Sequence, residues 1–138
     1  MAQQVKGEFE VRHSPQPPCD MGDGIEARHS RFDKHFLGDL DGTSVVHMLA
    51  IGTDVPGSAA YVAIERLSAT LMGHKGTFFL QHRGTMTRGA PTLLLTVVPD
   101  SGTGELAGLS GSMAIDIVDG KHFYTFEYLL ADAEEVAP

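Results

Sequence analysis

The sequence predicts an all-β fold of about eight antiparallel strands, arranged as a closed barrel or a sandwich. Three observations predict it. Apolar and polar residues alternate with period two in one segment after another. Turn signals rich in Gly, Pro and Asp divide those segments. The run 101–130, SGTGELAGLSGSMAIDIVDGKHFYTFEYLL, passes from a glycine-rich turn through a hairpin into an alternating aromatic strand, with no helix between.

Each element follows from its pattern. Residues 5–11 put Val5, Gly7, Phe9 and Val11 on one face and Lys6, Glu8 and Glu10 on the other, a half-buried first strand. Residues 14–24, SPQPPCDMGDG, break every period and predict a loop, long enough to fold over an opening. Residues 26–37 form a second strand with Phe32 and Phe36 on one face, and 38–42 a turn. Residues 43–51, β-branched and apolar, give a third strand, followed by the turn GTDVPGS. Residues 60–72 give a long fourth strand with Tyr61, Ala63, Glu65, Leu67, Ala69 and Leu71 on one side. Val62, Ile64, Arg66, Ser68, Thr70 and Met72 take the other side. Ala, Leu, Glu and Arg there also suit a helix, but Tyr, Val, Ile and Thr favour the strand. After a hairpin at 73–76, strands are predicted at 77–82, 92–98, 112–118 and 121–130. Asp119-Gly120 between the last two is a two-residue hairpin signal, because Gly tolerates the positive φ that matches strand twist. The acidic tail, 131–138, is expected to fray.

The 138 residues form one domain, and the 42% hydrophobic content suffices for a core. Ten basic against 18 acidic residues give a net charge of -8, which disfavours nucleic acid and anionic membrane as partners. The single cysteine, Cys19, excludes an intrachain disulfide and fits a reducing compartment. The first residues show no basic region followed by an apolar core, so no secretory signal is expected, and no apolar run approaches the roughly 20 residues that span a bilayer. The expectation is a cytoplasmic domain.

An eight-stranded barrel has an interior that side chains fill or that holds one small ligand, which makes inward polar residues the candidates for chemistry. Glu65 shares its face with Tyr61, Ala63 and Leu67; if that face points inward, burial perturbs the carboxylate towards general acid or base work. A hydrogen-bond partner is then required, and His82 or Tyr128 is expected to supply it. The alternative is a surface Glu65, with Val62, Ile64 and Met72 inside. His82 shares parity with Phe78 and Leu80, and His122 with Tyr124, Phe126 and Tyr128; either imidazole suits proton transfer near neutral pH. Glu65, His82 and His122 are therefore the candidate catalytic residues, and Tyr61, Phe78, Tyr124 and Tyr128 the candidate ligand-binding residues.

Other motifs are weaker. Seven histidines invite a metal, but no HxH pair or HExxH motif occurs. His29 and His35 share a face yet stand about 20 Å apart along a strand. No metal and no cofactor is expected. SGTGELAG resembles a phosphate loop only superficially, since no helix follows; it predicts a tight turn and close backbone packing. Ser110 and Ser112 lie outside any GxSxG elbow, and nothing near Cys19 activates a thiol.

The stretches KHFLGDLDGTS (34–44), AAYVAIERL (59–67), GTFFLQHRGT (76–85), VVPDSGTGELAGLSG (97–111) and HFYTFEYLL (122–130) resemble the DUF3224 family in order and over most of the chain. The final third, with FYTF at 123–126, also resembles allene oxide cyclases and, more distantly, dirigent proteins. That resemblance implies a closed antiparallel eight-stranded barrel of the allene-oxide-cyclase type, with an apolar cavity that holds a reactive substrate in one conformation. The cyclase's catalytic carboxylate has no clear counterpart; Glu8 and Glu10 lie in roughly its region. The resulting expectation is a barrel that binds an apolar small molecule, acting, if catalytic, as a cofactor-free isomerase or cyclase. The alternative is a non-catalytic, oligomerising domain with a filled interior. Self-association is expected in either case, because strands such as 92–98 carry apolar residues on both faces.

Overall fold

The computed structural model describes residues 2–130. Eight strands follow in order: β1 (Gln3–Asp20), β2 (Glu26–Phe36), β3 (Leu40–Gly52), β4 (Ala59–Leu71), β5 (His74–Thr87), β6 (Ala90–Val97), β7 (Ser110–Val118) and β8 (Lys121–Leu129). Each pairs antiparallel with its chain neighbour, and β8 returns to β1, so the sheet closes into a barrel. A single 3₁₀ turn, Gly104–Leu106, is the helical content of the described residues. No helix among them is long and apolar enough to cross a membrane. The tail expected to fray lies outside the described residues.

The boundaries hold local corrections. The segment 14–20 is not a loop: β1 continues to Asp20, with a register shift between Gln16 and Cys19. Its prolines are tolerated because β8 pairs only with residues 3–9 of β1, leaving the later part an edge that bonds β2 alone. Leu40 belongs to β3 rather than to a turn, and β5 is 14 residues long, extending past both ends of the predicted segment. Asp119 (φ 52°) and Gly120 (φ 79°) both take the left-handed conformation that a two-residue hairpin demands.

The fourth strand turns its Glu65 face inward. Ala63, Leu67, Ala69 and Leu71 are buried, whereas Val62, Ile64 and Met72 are exposed. One end of the barrel is filled. Phe36, Leu40, Leu71, Phe78, Leu106, Tyr124 and Phe126 are all buried there, Phe78 stacking on Phe126 at 5.9 Å. The glycine-rich run closes this end as a strap. Thr103 N–H bonds Thr77 O at 2.8 Å, and Leu106 drops inward as a plug. Gly76 permits the approach, because a Cβ there would collide with the Thr103 carbonyl.

The other end is open, for a reason visible in the register. β6 and β7 pair only through Leu95–Met113 and Thr96–Ser112. Beyond that, residues 90–94 bond β5 alone, while β1 beyond Phe9 bonds β2 alone. The sheet therefore splays and leaves a mouth.

Removing the plug tests this asymmetry. Leu106→Ala should lower stability by about 2–5 kcal/mol in urea denaturation, as a fully buried leucine lost to a cavity does. The far-ultraviolet circular dichroism of both proteins should be that of β-structure; helical minima would contradict the fold.

Candidate functional site

Glu65 lies on β4 opposite Val46 of β3 and Leu80 of β5. Its side chain is fully buried. The residues diagonal to it on the same face, Ser44 and His82, are within reach of a long side chain, and Lys34 lies directly across from Ser44 on β2. Four neighbouring strands thus deliver four polar groups to one point inside the barrel.

The geometry is that of a carboxylate with three donors. His82 Nε2 donates to Glu65 Oε1 at 2.7 Å, and Lys34 Nζ donates to the same oxygen at 3.3 Å. Ser44 Oγ donates to Oε2 at 2.6 Å. Lys34, Ser44 and His82 are all buried. The ammonium of Lys34 also stands 4.8 Å from the Phe9 ring centroid and 5.7 Å from that of Phe36, where the ring faces attract it. No buried side-chain nitrogen or oxygen among the described residues lacks a hydrogen bond.

Opposing effects act on the Glu65 carboxyl. Burial is the largest and pushes its pKa up. The His82 hydrogen bond, the Lys34 and His82 charges and the Ser44 hydrogen bond pull it down, and together they prevail. Burial alone suggested a group poised to release or take a proton; the paired carboxyl is instead held ionised. Because a carboxylate only accepts hydrogen bonds, Nε2 of His82 carries the proton. In neutral His82 the Nδ1 lone pair is then the proton acceptor of the cluster, and Glu65 fixes the tautomer and ring orientation.

Tyr61 stands between this cluster and the mouth. Its ring meets that of His82 edge-on, with centroids 6.4 Å apart. It lies over Gly84, its direct cross-strand partner, and a Cβ there would collide with the ring. Burial first, then the Glu65 charge, raises the pKa of its hydroxyl. Beyond Tyr61 opens a cavity of about 340 Å³, lined by Met48, Ala50, Tyr61, Gly84, Leu93 and Arg28 among others.

The remaining predicted site residues lie elsewhere. Tyr128 does not reach Glu65; its hydroxyl donates to Gln3 Oε1 at 3.0 Å, and its ring stacks on Phe126. Tyr124 donates to the Leu37 carbonyl at 2.9 Å and tethers the β2–β3 turn. With Phe78, both belong to the filled end, so these three rings do not line the mouth. His122 packs against Phe9, centroids 5.2 Å apart, and makes no hydrogen bond to the Glu65 cluster. Sequence reasoning missed Lys34 and Ser44. A signal for Lys34 existed: it stands between Phe32 and Phe36 on the face the two aromatic rings share. On the outer surface His29 and His47 hydrogen-bond at 2.8 Å, and among the described residues no three ligating groups converge as a metal site.

Two measurements examine the cluster. Glu65 has a lowered folded-state pKa, so its stabilisation is complete above the ordinary glutamate value of 4.5 and disappears as pH falls through the lower folded value. Glu65→Gln should therefore flatten the acid limb of a stability-versus-pH curve. At neutral pH it should cost about 3–5 kcal/mol by leaving Lys34 charged and buried without its counterion. Adding Lys34→Met should recover part of that loss, and strict additivity of the two changes would mean the pair is not coupled.

A comparison with curated proteins gives no match. Among solved structures, the chain is similar to a protein of unknown function from the DUF3224 family of Shewanella oneidensis MR-1. The two are 43% identical over 96% of this chain and 100% of that one, with a TM-score of 0.88. The family model described as "Protein of unknown function (DUF3224)" matches residues 5–128, from the first inward valine of β1 to the last inward tyrosine of β8, and the chain belongs to that family.

Proposed function

We propose that this barrel binds an apolar small molecule in its open mouth, and that the Glu65–His82 pair is its chemical element, in the manner of a cofactor-free isomerase or cyclase. The observation that carries the reading is the position of an apolar cavity directly beyond Tyr61, whose ring covers an imidazole oriented by a buried carboxylate. Ligand sites are commonly concave and apolar with a few placed polar groups. In this reading the cavity walls hold one conformer of the substrate, and Tyr61 swings aside to admit it to His82. His82 Nδ1 then takes a proton from a carbon next to a carbonyl and returns it at another position, while Glu65 stays ionised and stabilises the imidazolium formed in between.

The neutral fluorescent probe N-phenyl-1-naphthylamine should bind at one site per chain. Leu93→Trp, at the half-exposed rim, should weaken it at least tenfold without altering the fold. For the chemistry, the wild type should catalyse exchange of the α-protons of 2-decanone with deuterium oxide, and His82→Gln should not. Exchange that persists unchanged in His82→Gln would remove the imidazole from the mechanism.

The outer face supports self-association as part of the same reading. Leu49, Val62 and Ile64 are adjacent and exposed on β3 and β4. They border a groove of about 460 Å³. Covering such a patch is favourable. Light scattering at micromolar concentration should give a mass above the 14.8 kDa of one chain, and Val62→Lys should return it to that value.

A further inference from the structure

We infer that the ligand of the mouth is an amphipathic anion, with an apolar body against Met48, Ala50, Tyr61 and Leu93 and a carboxylate or similar oxyanion on Arg28. The inference rests on the reading of the mouth as a binding cavity and adds the ligand's charge. Among the described residues, Arg28 is the only charged one that lines the cavity. It pairs directly with Ala50 across β2 and β3, so the two side chains leave the sheet on the same side, towards the opening. Ala50 is buried, whereas Arg28 remains exposed at the rim.

Two of the other cations of β2 are occupied. Lys34 is committed to Glu65, and Arg31 to Asp33 at 3.0 Å. Arg28 has neither a hydrogen bond from its side chain nor an ion pair within the described residues. The chain carries a net charge of -8, so an unpaired guanidinium aimed into an apolar opening stands out locally against a repulsive field. Chemically, a planar fork of N–H donors suits the two oxygens of a carboxylate. The location at the rim suits an anion that stays partly hydrated, while the 340 Å³ behind it takes the apolar body. The buried Glu65 carboxylate lies beyond Tyr61, deeper in the barrel, and disfavours entry by the charged end; the ligand is oriented tail inward.

Displacement of N-phenyl-1-naphthylamine by decanoate and by decanol, above neutral pH, separates charge from apolar contact. Arg28→Gln should weaken decanoate about tenfold and leave decanol within twofold. The decanoate affinity of the wild type should fall with added salt, and that of Arg28→Gln should not. Arg28→Lys should keep part of the preference, since it keeps the charge but not the fork. Equal changes for both competitors, or none for decanoate, would overturn the assignment of Arg28 while leaving an apolar mouth that binds the neutral probe. Failure of the wild type to bind that probe at all would overturn the cavity reading, and this inference with it.

Discussion

A carboxylate removed entirely from water imposes conditions on everything around it. Glu65 is fully buried, and an ion in that position is tolerated only when paired and fully hydrogen-bonded. Four consecutive strands must therefore hold their register to within one residue. A slip of one would send Ser44, Lys34 or His82 to the outer face and strand the charge. The polar cluster thus favours one register among β2 to β5, independently of the hydrophobic pattern. Lys34 belongs to both systems: its ammonium answers Glu65 while it rests between Phe9 and Phe36 of the apolar core.

The division of the interior follows from strand lengths. Where all eight strands overlap, large side chains meet across the axis and fill the barrel, and the 3₁₀ turn at Leu106 seals the end. β2 to β5 run on past the short contact between β6 and β7, so the far end has walls without a complete ring. The ionic cluster bridges these two zones. On one side it contacts the core through Lys34; on the other, Tyr61 separates it from the cavity. Gly84 is the small residue that lets this ring lie flat across the strand opposite.

Placing the ionised carboxylate behind the imidazole also fixes the ring. Glu65 is held in one charge state by its neighbours and bonds Nε2 of His82, which leaves Nδ1 of that ring unengaged by the carboxylate. Lys34 and Ser44 make that arrangement durable by occupying the carboxylate's remaining capacity.

The sequence by itself determined the strands, their faces and the all-β class, because period-two patterning and turn chemistry are local properties; its pattern left barrel and sandwich open, and the pairing of β8 with β1 decided for the barrel. It placed Tyr61, Ala63, Glu65 and Leu67 on one face, and on parity and motif position it offered His82 and Tyr128 as partners of Glu65, of which His82 alone bonds it. Prolines misled it at 14–20, since their tolerance depends on whether a second strand bonds there, and that is a property of the closed sheet. Tyr124 and Tyr128 had the parity of cavity residues, but parity gives a face and not a height along the axis; register placed them at the filled end. Lys34, Ser44 and Arg28 acquire their meaning only when β2 and β3 lie beside β4, because a buried ion selects its partners by distance across the sheet and not along the chain.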